Sequence, residues 1–215
     1  MNSDELFEYA GQHSTPEYPF LDRLNRETNL TQVYPRMLAG PMQGMLLRLI
    51  SQMIRPRRIL EIGTFTGYSA INLAMGLFST SEEEGLLHTI EIDPEQEAII
   101  RKYFNEAGIE KNVILHIGEA MKIIPTIVET WDLVYIDADK PNYLNYYNLV
   151  FDRVRPGGFI LADNALWDGK VLNPDTRSRD TKGIIEFNEF VLSDDRTENL
   201  LLPFRDGLMI IRKNA

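Results

Sequence analysis

The chain contains no cysteine, and this absence excludes several kinds of site at once. Disulfide frameworks, thiolate zinc centres and cysteine nucleophiles all need the missing side chain. Histidine is also scarce: His13, His88 and His116 share no spacing typical of a metal site, and the last two fall within strand-like patterns, so we expect structural roles for them. A chain without cysteine is compatible with a reducing compartment, and we predict a cytoplasmic protein.

Long apolar runs and an excess of positive charge are missing as well. No stretch approaches the roughly 18 apolar residues that cross a bilayer, and the acidic start, Met1–Glu5, has no apolar segment behind it. We therefore predict neither a membrane span nor an export signal. Lysine and arginine number 22 against 32 aspartates and glutamates, which gives a formal charge of −10. Because such a field repels polyphosphates, extended nucleic-acid binding is disfavoured.

The residues that are present have the composition of a soluble globular domain, with 44% apolar and 25% charged residues among 215. Without internal repeats or low-complexity tracts, residues 1–215 are predicted to form one domain. Residues 1–40 form a helical preface in which Pro16 and Pro19 prevent a continuous helix. A helix from Pro41 is predicted to face the core with apolar side chains at helical spacing: Met42, Met45, Leu46, Leu49, Ile50, Met53 and Ile54.

Buried strand patterns alternate with helix-length segments along the rest of the chain. This alternation is typical of parallel βαβ units, in which ligands bind beyond the carboxyl ends of the strands. The last two strands are joined only by Arg205-Asp206-Gly207, which favours an antiparallel hairpin. We predict an α/β, Rossmann-like, doubly wound seven-stranded sheet, mostly parallel with one antiparallel strand in a C-terminal hairpin. The predicted strands are 58–63, 86–92, 113–117, 133–137, 159–162, 200–204 and 208–212, the fifth following a turn at 156–158.

A glycine-containing loop follows the first predicted strand. Gly63 and Gly67 lie four residues apart, which is not the G-x-G-x-x-G spacing of dinucleotide-binding loops. The loop still permits close approach of a ligand, and Glu61 at the strand end would present a carboxylate to a positively charged small molecule. The alternative is a tight turn with an incidental glutamate.

A second acidic position follows at the end of the next strand. Glu91 lies 28 residues beyond Gly63, where a carboxylate accepts hydrogen bonds from ribose hydroxyls in nucleoside-binding α/β folds. The neighbouring Asp93 is interpreted as the N-cap of the following helix.

Two adjacent strands deliver polar side chains to the same edge of the sheet. Asp137 and Asp139 follow the fourth strand, and Asp163 and Asn164 follow the fifth. Clustered carboxylates repel each other unless a cation or proton intervenes, and oxygen ligands without histidine or cysteine suit Mg²⁺, with Mn²⁺ or Ca²⁺ as alternatives. The competing interpretation is that these aspartates cap helices.

Lys140 follows this cluster and is a candidate general base. A metal cation next to the lysine would disfavour its ammonium form. The alternative is a solvated lysine at the start of a helix.

These motifs together resemble the cation-dependent class I O-methyltransferases that use S-adenosylmethionine, the group that contains caffeoyl-CoA and catechol O-methyltransferases. The resemblance extends from about residue 37 to 170 and includes the hairpin turn at Asp206-Gly207. The motifs that carry it are Met37, Leu60–Ser69, Glu91–Asp93, Gly118–Ala120, Asp137–Tyr143 and Asp163–Gly169.

The resemblance implies roles for individual residues. The predicted binding site for S-adenosylmethionine consists of Met37, Glu61, Gly63, Ser69, Glu91, Ala120 and Asp137. Within it, Glu61, Gly63 and Ser69 would hold the methionine portion, Glu91 the ribose, and Ala120 would flank the adenine. The implied metal ligands are Asp137, Asp163 and Asn164, and the implied catalytic residues are Lys140, as the base, and Asp137. This chain departs from the family pattern at Ala39, often threonine, and at Glu91, more commonly aspartate.

The resemblance also implies a homodimer and a small phenolic acceptor, chelated through neighbouring oxygens by the divalent cation. Candidate walls of an aromatic acceptor pocket are Tyr34, Tyr143, Trp167 and residues 172–182. The basic residues Arg177, Arg179 and Lys182 are interpreted as a solvated loop, with an anionic acceptor as the alternative. Methylation of a hydroxylated uridine in transfer RNA stays open, as do an NAD-dependent oxidoreductase and a catalytically silent nucleoside-binding dimer.

Overall fold

A single seven-stranded sheet organises the computed structural model, which describes residues 3–174 and 177–215. The strands are β1 (Arg58–Ile62), β2 (Leu86–Glu91), β3 (Val113–Ile117), β4 (Trp131–Ile136), β5 (Val154–Ala162), β6 (Thr197–Leu202) and β7 (Leu208–Lys213). The α-helices in the described ranges are α1 (Ser3–Gln12), α2 (Pro19–Thr31), α3 (Gly40–Ile54), α4 (Tyr68–Ala74), α5 (Glu97–Glu106), α6 (Ala120–Ile123), α7 (Tyr143–Phe151) and α8 (Arg179–Ser193).

The strand order is β3-β2-β1-β4-β5-β7-β6, and β7 runs antiparallel to both of its neighbours. The remaining neighbours are parallel, as in the β1–β4 pair, where Ile59 lies opposite Leu133 and Ile62 opposite Ile136. The predicted fold and the single reversed strand are confirmed. Because the chain order reverses between β1 and β4, a crevice opens beyond the carboxyl ends of these two strands, where ligands bind in open α/β sheets.

The two faces of the sheet are covered by different helices. Alternate strand residues point to opposite faces. Leu60 and Val134 therefore pack in one core with α7 and α8, whereas Ile59 and Leu133 pack in the other with α2 to α5. Both faces of the central strands are thus buried up to their carboxyl ends, where Ile62 and Ile136 are inaccessible to solvent, and the crevice lies beyond these ends. None of the helices in the described ranges combines the length and apolar character that a membrane crossing requires.

The strand β5 begins earlier than predicted. The predicted turn at Pro156-Gly157-Gly158 lies inside β5, and the pairing with β4 shifts from Trp131–Val154 to Leu133–Phe159. Gly157 has a positive φ of 73°, a conformation that glycine adopts without steric cost. The glycine pair therefore makes a bulge within the strand rather than a turn before it. The strand β6 is also displaced, since it ends at Leu202 before Pro203.

The preface contains the two predicted helices, α1 and α2, with Pro19 in the first turn of α2. Hydrogen bonds connect α2 to the body of the fold. The buried Thr28 hydroxyl donates to the hydroxyl of Thr66 at 3.0 Å, and the Tyr103 hydroxyl donates to Glu27 at 2.7 Å. Since Thr66 belongs to the loop that follows β1, α2 supports the predicted cofactor loop from outside.

The buried His88 and the partly buried His116 form a pair on neighbouring strands, in agreement with their predicted structural role. Nδ1 of His88 on β2 lies 3.0 Å from Nε2 of His116 on β3, and the His88 ring packs edge-on against Trp131. Burial, and then the charge of His116, lowers the pKa of His88 to about 4. The unfolded chain therefore binds a proton at this position more readily than the folded chain does at pH values between about 6.5 and 4.

This pair predicts an acid-dependent loss of stability. As the pH falls from about 6.5 to about 4, the free energy of unfolding should drop by about 2 kcal/mol through His88, with no further contribution from this group below that range. In His88→Phe this part of the pH dependence should disappear, whereas replacing the exposed His13 with asparagine should leave it unchanged. Urea unfolding at pH 7 and pH 4.5 measures the difference, and equal pH dependences in wild type and His88→Phe would contradict the prediction.

Candidate active site

The loop after β1 is shaped by glycine. Gly63 has a φ of 100°, and its amide donates to the carbonyl of Ile90 on β2 at 3.0 Å. A Cβ at this position would overlap the carbonyl oxygen of Asp137. Gly67, with a φ of 92°, starts α4, which carries Ser69 in its first turn. The loop therefore lies directly against the end of β4, a contact that only glycine permits.

Glu61 lies beneath this loop and is fully buried. Its Oε2 accepts a hydrogen bond from the Thr89 hydroxyl at 2.5 Å, and its Oε1 is buried without a hydrogen-bond partner among the described residues. Burial raises the pKa of Glu61 to about 8, although Ser69 and Thr89 oppose the rise. A positively charged ligand above the loop would favour the ionised form of this carboxyl group.

Glu91 holds the loop from the neighbouring strand. One carboxylate oxygen accepts from the amide of Phe65 at 2.7 Å and the other from the amide of Asp93 at 2.9 Å. Burial raises the pKa of Glu91, and these backbone hydrogen bonds oppose the rise. Asp93 accepts from the amide of Glu95 at 2.9 Å, so its predicted role as a helix cap is confirmed.

An acidic corner forms where β4 and β5 end. Asp137 directly follows β4, while Asp163 and Asn164 directly follow β5. The buried carboxylate of Asp163 accepts hydrogen bonds from the Tyr135 hydroxyl at 2.8 Å, from the amide of Asn164 at 2.8 Å and from the Gln43 side chain. Burial, and then the charge of Asp137, raises the pKa of Asp163 to about 6. The chain thus places two carboxylates and one amide side chain at adjacent strand ends.

Lys140 lies beside this corner and is only 8% exposed, so the alternative of a solvated lysine is wrong. Its ammonium group is 3.0 Å from Oδ1 of Asp137 and 2.8 Å from the hydroxyl of Tyr143. The same group lies 5.7 Å from the centre of the Trp167 ring. A short 3₁₀ helix, Lys140–Asn142, sets the position of the lysine backbone.

A cavity of about 1200 Å³ joins these features. Nearly all the predicted site residues line it: Met37, Gly63, Ser69, Glu91, Ala120, Asp137, Lys140, Asp163 and Asn164. Glu61 is the exception, because it is buried behind the loop. Within the described residues, histidine, aspartate and glutamate form no group of three suited to a metal. The oxygen set at the acidic corner instead combines two carboxylates with the side-chain amide of Asn164.

Comparison with known proteins identifies the family. A sequence profile of the O-methyltransferase family matches residues 11–214. The chain belongs to this family. The prediction of a class I S-adenosylmethionine-dependent O-methyltransferase is confirmed, and the family assignment decides against the alternative of an NAD-dependent oxidoreductase.

Individual relatives of this O-methyltransferase cover most of its length. It is 35% identical over 172 residues to the catechol O-methyltransferase of Niastella koreensis, a match that covers 78% of this chain and 76% of the relative. It is 31% identical to caffeoyl-CoA O-methyltransferase 2 of Zea mays, over 99% of this chain and 84% of the relative. The crystal structure of TomG from Streptomyces achromogenes, an O-methyltransferase in complex with S-adenosylmethionine, superposes with a TM-score of 0.91 at 28% identity, covering 100% of both chains.

The cavity wall around Trp167 differs from the predicted acceptor wall. Trp167 lines the cavity, but Tyr143 is fully buried and Tyr34 lies on the surface outside the lining, so the predicted wall is wrong for these two tyrosines. Arg179 and Lys182 lie on exposed positions of α8 outside the lining. Residues 175 and 176 of the predicted wall lie outside the described residues.

The cavity is lined on this side by a segment with unusual backbone geometry, residues 164–168. Asn164, Trp167 and Asp168 have positive φ values of 54°, 48° and 54°, and such conformations in non-glycine residues concentrate at functional sites. The turn between β6 and β7 holds the segment, because the amide of Ala165 donates to Gly207 at 3.0 Å and that of Leu166 to Asp206 at 2.8 Å.

The sequence-based prediction missed Gln43, which lines the O-methyltransferase cavity and donates to Asp163. The predicted core face of α3 is partly wrong: Leu49 is 48% exposed and Met53 is 75% exposed. The buried face is instead formed by Gln43, Gly44, Leu47, Arg48, Ile50 and Ser51. The signal available in the sequence was the pair Gln43 and Ser51, polar residues eight positions apart on one face of the helix.

Proposed function

We propose that this O-methyltransferase transfers the methyl group of S-adenosylmethionine to one hydroxyl of a catechol-like phenol whose neighbouring oxygens are held by a divalent cation, Mg²⁺ before Mn²⁺ or Ca²⁺. The observation that carries the proposal is the acidic corner on a cavity that also contains the glycine loop and Glu91. Relatives named as catechol and caffeoyl-CoA O-methyltransferases support the choice of a phenolic acceptor.

The side chains at the acidic corner suit a hard divalent cation. Asp137, Asp163 and Asn164 supply oxygen atoms, the ligands that Mg²⁺ prefers. The raised pKa of Asp163, caused by burial and by the charge of Asp137, marks a place where added positive charge would stabilise the folded protein. These three residues would hold the cation.

The opposite half of the cavity suits a cationic nucleoside. S-adenosylmethionine carries a sulfonium and an ammonium group, and the carboxylates of Glu61, Glu91 and Asp137 lie around the glycine loop. Among the described residues, Lys140 is the one basic side chain that hydrogen-bonds to any of these three carboxylates, and its partner is Asp137. Glu91 would accept hydrogen bonds from the ribose hydroxyls. Gly63 and Ser69 would bind the methionine portion, and Met37, which is 56% exposed at the cavity, would cover the donor.

The residues of the chain then supply positioning and proton transfer. A bound divalent cation is a Lewis acid that lowers the pKa of a coordinated hydroxyl group. In its neutral amine form, Lys140, at the cavity wall next to Asp137, would accept the proton of the reacting hydroxyl and become an ammonium group. The carbon–sulfur bond of the donor breaks as the carbon–oxygen bond to the acceptor forms, so the protein forms no covalent intermediate. Trp167 would pack against the aromatic ring of the acceptor.

A methyl-transfer assay tests this proposal. With S-adenosylmethionine, the enzyme should methylate a catechol or a hydroxycinnamoyl-CoA ester in the presence of Mg²⁺, lose this activity in EDTA and regain it when Mg²⁺ is restored. Product formation is measured by mass spectrometry, with hydroxylated transfer RNA as a parallel acceptor. Undiminished transfer to phenols in EDTA would contradict the metal role, and transfer to the RNA alone would replace the phenolic acceptor with the transfer-RNA alternative.

Three further expectations go with this function. We place the single domain at residues 1–215, the enzyme in the cytoplasm, and two copies in a homodimer. The exposed apolar side chains of Leu49 and Met53 on α3 support a contact between copies. Sedimentation of the purified protein measures the number of copies.

A further inference from the structure

The hydroxyl group of Tyr143 connects the two halves of the acidic corner. It lies 2.8 Å from the ammonium nitrogen of Lys140 and donates to the backbone carbonyl of Asp163 at 3.0 Å. Tyr143 is the first residue of α7, and its side chain is fully buried. The tyrosine therefore contacts the candidate base and the loop of a candidate metal ligand without reaching the cavity itself.

The direction of these hydrogen bonds is fixed by the chemistry of the groups. A phenol has one O–H proton, and here it goes to the carbonyl of Asp163, so the oxygen of Tyr143 can only accept from Lys140. A lysine nitrogen has four tetrahedral positions, one of them taken by its side-chain carbon. Tyr143 occupies the second and Asp137 the third. The fourth position is the one left for a group in the cavity.

We infer that Tyr143 is a positioning residue, which fixes the direction in which the amine of Lys140 faces the acceptor. This inference rests on the proposed function, in which Lys140 takes the hydroxyl proton. Asp137 alone would leave the amine free to rotate about one contact, whereas two contacts in different directions define its orientation. A misplaced catalytic group costs rate even when substrate binding is unchanged.

Packing around Tyr143 keeps both partners in place. Its ring contacts Phe187 of α8 edge-on, with centroids 5.6 Å apart and an interplanar angle of 90°. The same helix approaches the Lys140–Asn142 backbone through Gly183, where a Cβ would lie 2.5 Å from the carbonyl oxygen of Lys140. The helix α8 therefore packs against both the tyrosine ring and the lysine backbone, the two elements that the hydrogen bond joins.

Tyr147 provides a matched control on the same helix. It is also fully buried, and its hydroxyl donates to Asp194 at 2.8 Å, away from the cavity lining. Tyr143→Phe and Tyr147→Phe therefore each remove one hydroxyl group from α7, but only Tyr143→Phe removes a hydrogen bond to Lys140.

The kinetic test compares these two variants with a catechol acceptor and Mg²⁺. We expect kcat of Tyr143→Phe to fall by about 10- to 100-fold, with the KM for S-adenosylmethionine unchanged, while Tyr147→Phe keeps the wild-type kcat. In a Lys140→Met background, adding Tyr143→Phe should cause no further loss, because the tyrosine acts through the lysine. Equal kcat values for Tyr143→Phe and Tyr147→Phe, or a full additional loss in the Lys140→Met background, would overturn the inference.

A second measurement does not depend on methyl transfer. Reductive methylation with formaldehyde, followed by peptide mass spectrometry, reports how readily the amine of Lys140 is reached. In Tyr143→Phe the labelling of Lys140 should be several-fold faster than in wild type and in Tyr147→Phe, with the other lysines unchanged. Unchanged labelling of Lys140 would refute its positioning by Tyr143. If the wild-type enzyme transferred no methyl group to any phenol, the proposed function would fail, and the labelling would still decide this inference.

Discussion

Asp163→Asn is expected to reduce kcat for methyl transfer to a catechol by about a thousandfold, because the variant loses one of two carboxylates at the acidic corner. The asparagine keeps the size of the side chain and can still accept hydrogen bonds from Tyr135 and Gln43, so the fold should persist. Titration calorimetry should show weakened Mg²⁺ binding, while the affinity for S-adenosylhomocysteine should change little.

Asp194→Asn is the matched control, because it removes a buried carboxylate that lies outside the cavity. Asp194 accepts from Tyr147 and Arg196 and does not line the cavity. Its replacement should lower the stability of the protein and leave kcat near the wild-type value. An Asp163→Asn enzyme that retains both its Mg²⁺ affinity and a kcat within tenfold of wild type would remove Asp163 from the metal site.

Gly63→Ala is expected to lower the free energy of unfolding by about 3 kcal/mol and to weaken the binding of S-adenosylhomocysteine at least about tenfold. Two costs combine at this position. The φ of 100° is unfavourable for alanine, and the new Cβ would overlap the carbonyl oxygen of Asp137, so the loop and the end of β4 must move apart. Chemical denaturation and calorimetry measure the two effects.

Gly108→Ala is a control that separates the cost of the backbone conformation from the cost of the steric overlap. Gly108 also has a positive φ, of 71°, but a Cβ there would have no neighbour within 4 Å among the described residues. This variant should show the conformational cost alone, about 1 kcal/mol, with unchanged ligand affinity. If Gly63→Ala were no less stable than Gly108→Ala, the close contact between the loop and Asp137 would have no energetic importance.

The sheet is well predicted from the sequence because its signals are local. Short apolar strands alternating with helices define parallel units, and the three-residue linker at 205–207 defines the reversed strand. The carboxyl ends of parallel strands meet at one edge, which is why the strand pattern alone predicts that Asp137 and Asp163 lie together. The roles of individual side chains came from the resemblance to a family, since strand order alone does not distinguish a cofactor ligand from a helix cap.

The features that the sequence did not predict depend on contacts between distant segments. The buried face of α3 includes Gln43 because Asp163, 120 positions further along the chain, accepts its hydrogen bond. Periodicity of apolar residues cannot detect such a partner. Its aromatic character makes Tyr143 a candidate for the acceptor wall, but Phe187 of α8 packs against its ring in the core. The bulge in β5 likewise depends on pairing with β4.

The hydrogen bonds from residues 165 and 166 to the hairpin turn at 206–207 connect this turn, whose residues Arg205 and Asp206 line the cavity, to the proposed acceptor side. The glycine loop and Glu91 belong to β1 and β2, on the other side of the crevice, and in the described ranges they share no hydrogen bond with that turn. Directed evolution toward new phenols should therefore randomise residues 205–207 together with Trp167. Variants from such a library should reshape the pocket proposed for the phenol ring while the glycine loop and Glu91, proposed to bind the methyl donor, stay intact.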